Sequence, residues 1–487
     1  MPRPAPAVPD AAVVAPELQE AYRLRGDARL ETTDDGTLQL RQSRFRLVLD
    51  RLSASRRAVM LRLTEGWLTD SAVGELVADI EGESRILSAQ VLLRRLVAHA
   101  WLSRRLQVAA RPLLEIRPRV LGPGTLGPVV RHESGVAYRV SRLATIHGGA
   151  DGLVAYRPLN GASVCLLDPR VGGLLALAGT DGCDVAAAAA QLEVSGAAAG
   201  RVLDELLTAG VLVSPAALET EARQPAGYWA PQELALHDLS RPGWHSWPVG
   251  GTYRFRGSID PEPLHRTFPG ASAVDLAVPD LAAVAAAEPS LSALIAARRS
   301  IRRHDDTHPI SVRQLGEFLY RVQHTVPTGE ADGQEVGHRP YPSGGGIGEL
   351  ELYAVVNNCA GLAGGLYHYD AVTHRLESIP GPRPAADRVL GYARAAAAMP
   401  SAPQVLIVMT ARVARLMWKY EGLSYAMMLK HAGILTELMY LVATSMALAP
   451  CAVGAGDGAA FAALSGLDPL AEPGVGDFLL GSRTAPS

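Results

Sequence analysis

Aromatic side chains are scarce in this 487-residue chain, at 5% of positions. Its cores must therefore be built largely from alanine, leucine and valine. Cysteine is rarer still: Cys165, Cys183, Cys359 and Cys451 are four in all and stand far apart. They match no metal-ligand spacing, so no metal site is expected, and they read as reduced, buried thiols of a cytoplasmic protein. Excess charge of either sign is also missing, the formal net charge being −3. That argues against a general nucleic-acid binder or a membrane-surface protein. The opening Met1-Pro2-Arg3-Pro4-Ala5-Pro6 has no apolar run of the kind a secretory signal needs. Residues 1–15 are expected to be a disordered tail.

What is present is the composition of a soluble globular protein, 48% apolar and 20% charged. The length points to about two to four domains. One stretch, 432–454, holds a single charge, Glu437, and is long enough to span a bilayer. Glu437, the helix-breaking Pro450, and the preceding Lys419, Lys430 and His431 favour a helix buried in a large core or a dimer interface.

The N-terminal half contains an internal repeat, in which 92–102 aligns without gaps to 202–212. Each copy is an amphipathic helix running into a small-residue break and a short apolar strand, after two earlier helix-like runs. Helix, helix, helix and strand is the order of a winged helix. Two small winged-helix-like modules are therefore predicted, at 16–120 and 121–216, with strands near 113–119, 129–140 and 152–157. Asp204 and Glu205 stand where the first copy has Arg94 and Arg95, a poor choice for tracking phosphates. A peptide clamp and plain scaffolding remain open alternatives. A Pro-containing linker is predicted at 217–233, then one α+β unit over 234–487. In it helices begin at Leu291 and at the Ser311–Gln314 capping box, and strands lie at 349–356, 365–369, 375–378, 405–410 and 477–480.

Several patterns in this second half could carry chemistry. Arg298, Arg299, Ser300, Arg302 and Arg303 place four guanidinium groups within six residues. Such a cluster suits a phosphate, although a solvated helix end would read the same way. Pro342, Ser343, Gly344, Gly345 and Gly346 form a loop that a flat or phosphorylated ligand could approach closely. Gly454, Ala455 and Gly456 follow the long apolar run and could offer backbone N–H groups, or merely end a helix. Ser482 and Arg483 follow the last strand. Lys419 and Tyr420 are adjacent, and from spacing alone read as a surface lysine beside a core tyrosine. His304, His308 and His324 are scattered, and 325–340 reads as a loop able to cover a site.

Taken in order, these pieces resemble the FMN-dependent nitroreductase superfamily. The resemblance implies a mixed sheet flanked by helices. It also implies that Arg298, Arg299, Ser300, Arg302, Gly456, Ser482 and Arg483 help hold FMN, and that Gly454 and Ala455 face flavin N5. A narrower likeness rests on Pro342-Ser343-Gly344-Gly345 followed by Glu349-Leu350-Glu351-Leu352-Tyr353, on Gly365-Leu366-Tyr367-His368-Tyr369 and on Trp418-Lys419-Tyr420. These look like the SagB-type thiazole/oxazole dehydrogenases, and 430–457 looks like the members serving thiopeptide pathways. This implies oxidation of azolines in a ribosomally made precursor peptide to azoles, with flavin N5 taking hydride and Lys419 and Tyr420 taking the proton. Both groups are ordinarily protonated near neutral pH, at about 10.4 and 10; burial is expected to bring the lysine down. The resemblance further implies a homodimer and a cyclodehydratase partner. Two rivals stay open: a NAD(P)H-dependent nitro or quinone reductase, and a non-catalytic leader-peptide-binding partner.

Overall fold

The computed structural model describes residues 17–42, 45–122, 128–223 and 225–484; the expected N-terminal tail lies outside them. The chain divides into two compact units, one ending at Trp247 and one starting at Pro248.

In the first unit, helices Ala54–Glu65, Asp70–Glu81 and Ile86–Ala98 lead into the strands Leu102–Val108 and Arg111–Pro118. The second set, Pro169–Thr180, Val185–Leu192 and Gly196–Thr208, ends in a strand of two residues, Leu212–Val213. The expected module boundary at 120/121 does not divide the fold. Arg111–Pro118 pairs with Ala162–Leu166, so both copies share one seven-stranded antiparallel sheet. A three-stranded sheet over Arg29–Thr32, Leu38–Gln42 and Phe45–Leu49 precedes the first helices. Of the strand predicted at 129–140, only Arg139–Val140 forms. The part before it is held by side chains: Asp204 binds Arg131 at 2.7 Å and the His132 N–H at 2.7 Å.

The linker predicted at 217–233 is folded into this unit as well. Helices Pro215–Glu221 and Pro231–Leu239 occupy it. The cause is a charge that must be paired once buried. The fully buried Arg119 pairs with Asp238 and lies 4.6 Å from the ring centroids of both Tyr156 and Trp247. The boundary accordingly moves from 234 to Pro248.

The second unit is a seven-stranded sheet in the order Ala273–Asp275, Arg375–Ile379, Gly365–Asp370, Leu350–Val356, Val405–Ala411, Gly474–Ser482, Leu448–Val453. A mixed sheet was expected, yet every pairing is antiparallel, as between strands joined by hairpins and up-and-down connections. Alternation along the central strands serves two cores. Leu352, Ala354, Ile407 and Met409 pack with helices Val312–Gln323 and Ser424–Ser445. Tyr353, Val355, Leu406 and Val408 pack with helices Arg383–Ala396 and Gly458–Ser465. Strands buried on both faces read as continuous apolar runs, as 405–411 does.

The apolar run 432–454 is not one helix. The helix spans Ser424–Ser445, and Ala447 turns at φ 53° into the edge strand Leu448–Val453. An edge strand tolerates Pro450, whose carbonyl accepts the Ile301 N–H. The helix is long and apolar enough to cross a membrane by length and composition, but Met428, Leu435 and Met439 seat it on the sheet.

Candidate functional site

The glycine loop is the first element of the site. Gly345, Gly346 and Gly348 take φ of 66°, 68° and 62°, a region that side chains with a Cβ rarely adopt. Ser343 closes the loop by accepting the Gly348 N–H at 3.1 Å. The Gly344 N–H points to His431 Nε2 at 3.2 Å, and His431 Nδ1 faces Glu349 Oε1 at 2.5 Å. His431 thus accepts on one nitrogen and donates from the other, which fixes its tautomer. The long helix carries His431, and the start of a central strand carries Glu349.

Lys419 ends the helix Val413–Lys419, and Tyr420 opens a two-residue strand paired with Gly250–Gly251. Both side chains converge on the glycine loop. A Cβ added to Gly345 would lie 3.1 Å from the Tyr420 hydroxyl and 3.2 Å from Lys419 Nζ. On its other side Lys419 Nζ sits 3.0 Å from Asp332, which also accepts the Tyr253 hydroxyl at 2.5 Å. Burial pulls the ammonium's pKa down, but the bonds to Asp332 and Tyr253 outweigh it and the net direction is up. This corrects the expectation of a depressed lysine: an anion stands where an apolar wall was anticipated.

Asp332 is the tip of a hairpin, Val326–Ala331 with Gln334–His338, where the sequence suggested only a loop. The buried Arg415 ties this hairpin to the site. Its guanidinium donates to the carbonyls of Glu335 at 2.8 Å, Ile347 at 3.1 Å and Glu262 at 2.6 Å. Gln334 returns a bond to the Arg415 carbonyl at 2.7 Å. Burial and the neighbouring Arg412 and Arg339 lower the Arg415 pKa to about 10. One side chain thus joins the hairpin, the end of the glycine loop and the helix carrying Lys419.

The arginine cluster follows the helix Leu291–Ala297 and meets the long helix at another point, Tyr440. The Ser300 and Tyr440 hydroxyls are 2.7 Å apart, and Tyr440 also accepts the Ala452 N–H. The Arg298 guanidinium stands 5.2 Å from the Tyr440 ring centroid. Arg298, Arg299, Arg302 and Arg303 are exposed, and none has a carboxylate partner among the described residues. Ser482 is occupied, its hydroxyl donating to the Asp305 carbonyl and its N–H to Gln404. Arg483 is exposed and bridges His304 through the backbone.

Gly454, Ala455 and Gly456 line a cavity of about 280 Å³ with Tyr425, Phe461 and Asp477. Gly456 has no room for a side chain, because the Asp477 carboxylate fills that space. Asp477 is 7% exposed, and burial raises its pKa to about 6.

Within one chain, then, Gly345 meets Lys419 and Tyr420 and Gly344 meets Tyr420, Ser343 closes the loop on Gly348, and Pro342 stands exposed at its start. Ser300 and the arginines do not join them. Their anchor Tyr440 lies nine residues beyond His431, about 13 Å along a helix axis. Sequence reasoning overlooked His431, Glu349, Asp332, Tyr253, Arg415 and Asp477. The Asp332-Gly333 pair was a usable hairpin signal; the others carry no local pattern.

Comparison with known proteins accords with this fold. Residues 295–476 match the Nitroreductase family model. The nitroreductase-family protein MJ1384 of Methanocaldococcus jannaschii is 29% identical over 163 residues, 32% of this chain and 75% of that protein. Among solved structures, a nitroreductase-like protein from Anabaena variabilis shares 22% identity with a TM-score of 0.34. That match covers 47% of this chain and 45% of the other. The Escherichia coli microcin synthetase McbBCD complex with truncated pro-MccB17 gives 18% identity, coverage of 48% and 82%, and a TM-score of 0.34. A nitroreductase with bound FMN from Bacteroides fragilis gives 16%, 40% and 89%, and 0.25. The C-terminal region carries a nitroreductase-family domain, an oxidoreductase fold whose members bind FMN.

Proposed function

We propose that the second unit is an FMN-dependent dehydrogenase that oxidises azolines in a ribosomally made peptide to azoles. One observation carries the reading. The Lys419 ammonium and the Tyr420 hydroxyl converge on the backbone of Gly345, beside the loop that would hold the flat cofactor. Aromatising an azoline breaks two C–H bonds on neighbouring carbons, releasing one proton and one hydride. Lys419 and Tyr420 are the groups at hand for the proton.

The residues suit FMN. Four guanidinium groups without carboxylate partners among the described residues are a donor set for a phosphate. The exposed backbone at Gly454, where nothing stands within 4 Å of a Cβ position, and at Ala455 is open to a ring edge, whereas the Asp477 carboxylate fills that space at Gly456. Arg298, Arg299, Ser300, Arg302 and Arg483 would hold the phosphate side, with Ser482 bracing the last strand beneath them. Bound FMN would supply a two-electron acceptor, with dioxygen as terminal oxidant. Because the arginines and the glycine loop stand apart within one chain, a homodimer is the assembly we propose. The apolar Ile434 and Leu429 exposed on the long helix suit burial in it.

In the first unit, a cavity of about 790 Å³ lined by Tyr22, Arg94, Arg104, Arg131, Arg201 and Glu205 is our candidate for gripping the precursor peptide. A cyclodehydratase would supply the azoline, and a cytoplasmic location follows from that partner. The test is mass spectrometry of a synthetic azoline peptide incubated with the FMN-loaded protein. Loss of two hydrogens per ring is expected. A second reading, a NAD(P)H-dependent nitro or quinone reductase, is favoured by the family match and has no use for Lys419 and Tyr420. Lys419→Ala and Tyr420→Ala should each abolish azole formation with FMN still bound; unchanged azoline oxidation in both would overturn our assignment.

A further inference from the structure

The hairpin tip is pinned in place. Asp332 and Gly333 turn at φ 57° and 83°, the paired left-handed conformation of a tight two-residue hairpin. The Arg256 guanidinium donates to the Asp332 carbonyl, and the Arg415 exchange with Gln334 and Glu335 holds the next two residues. The Asp332 carboxylate is thereby set 3.0 Å from Lys419 Nζ.

Few other charges compete for that ammonium. Tyr253 shares Asp332 and presents its ring 5.5 Å from Nζ, and the Tyr420 ring lies at 5.5 Å. The Arg256 guanidinium stands 4.3 Å from the Tyr253 ring centroid. Glu421, the next carboxylate along the chain, is taken by Thr252 and Arg254. From the glycine loop the backbone of Gly345 approaches.

We propose that Asp332 is a positioning residue that keeps Lys419 an ammonium, so that Lys419 acts as a fixed cation and the Tyr420 oxygen takes the substrate proton. This rests on the azoline-oxidation reading and divides the labour of the pair. In the step so assigned, the Tyr420 hydroxyl first gives its proton to solvent beside the Lys419 cation; a ring C–H then breaks and its proton bonds to the Tyr420 oxygen. Bound FMN would accept the hydrogen of the neighbouring carbon together with its C–H electron pair, as the ring double bond forms. Lys419 stays protonated throughout and offsets charge on the phenolate and the ring. A lysine without Asp332 would be free to trade its proton with solvent.

Two measurements on the full FMN-loaded chain test this. The first follows acylation of the Lys419 amine against pH, by mass spectrometry of its peptide, in the wild type and in Asp332→Asn. We expect the midpoint to fall by about half a pH unit or more in the variant. An unmoved midpoint overturns the proposal, whatever the substrate proves to be. The second compares Lys419→Arg with Lys419→Met on an azoline peptide. Arginine cannot serve as a base but keeps the cation, so it should retain turnover within about tenfold, whereas loss of a general base costs about a hundredfold or more. If arginine is as inactive as methionine with FMN bound, the division of labour is wrong. If the wild type oxidises no azoline while its amine midpoint still falls in Asp332→Asn, the substrate assignment fails and the hold of Asp332 on Lys419 stands.

Discussion

His431 receives the backbone N–H of Gly344 on its Nε2, at 3.2 Å. The long core helix thereby grips the glycine loop through a single imidazole, and Glu349 sets that imidazole's tautomer from the other side. Replacing His431 with Ala should free the loop and leave the buried Glu349 carboxylate unpaired. FMN affinity, read by flavin fluorescence, is expected to fall about tenfold, with a stability loss of about 1–3 kcal/mol. Unaltered affinity would mean that the loop holds its shape without the helix.

Arg415 serves three carbonyls from three segments. Arg415→Met would keep the volume and abandon those acceptors, so the second unit should lose about 3 kcal/mol or more. Denaturant unfolding followed by fluorescence of the buried Trp418 checks this, since Trp418 lies on the same helix. A loss under about 1 kcal/mol would show that water replaces the guanidinium.

Asp477 makes stability depend on pH. Its folded pKa, about 6, lies above the ordinary 3.8, so the native state binds the proton more tightly than the unfolded chain does. Its contribution is therefore fully present below about pH 4 and is lost as pH rises through 6. Asp477→Asn should add about 2–3 kcal/mol at pH 7.5 and little at pH 4. Thermal unfolding at both pH values decides it, and an equal effect at both would point to packing instead.

The arginine cluster has no carboxylate partner among the described residues, so it should contribute little to stability. Arg298→Ala with Arg302→Ala should leave the melting temperature of the FMN-free protein within about 2 °C of wild type. FMN binding should weaken about a hundredfold and lose much of its salt dependence. A large drop in stability without FMN would mark the arginines as structural.

Much of the second unit was readable because its signals are local. The Ser311–Gln314 capping box opens the helix Val312–Gln323. The alternating or wholly apolar runs near 350, 365, 375 and 405 are strands. The long helix, expected across 422–447, spans Ser424–Ser445, but the edge strand Leu448–Val453 after it was hidden, because periodicity does not tell a short apolar strand from more helix. The Asp332-Gly333 hairpin escaped notice because its flanks, Thr328-Gly329-Glu330 and Gln334-Glu335, lack the apolar alternation that usually accompanies such a turn. The grip of Asp332 on Lys419 joins residues 87 apart, and that of Glu349 on His431 residues 82 apart. No spacing rule reaches so far.

The shared sheet of the first unit dictates where this protein can be cut. A fragment ending at residue 120 would leave Arg111–Pro118 without the neighbour it has at Ala162–Leu166. Its bare rim of backbone amides and carbonyls would invite intermolecular strand pairing and precipitation. Anyone grafting the N-terminal portion onto another enzyme should therefore move it whole, with the junction at Trp247 and Pro248, because neither copy of the repeat is a detachable part.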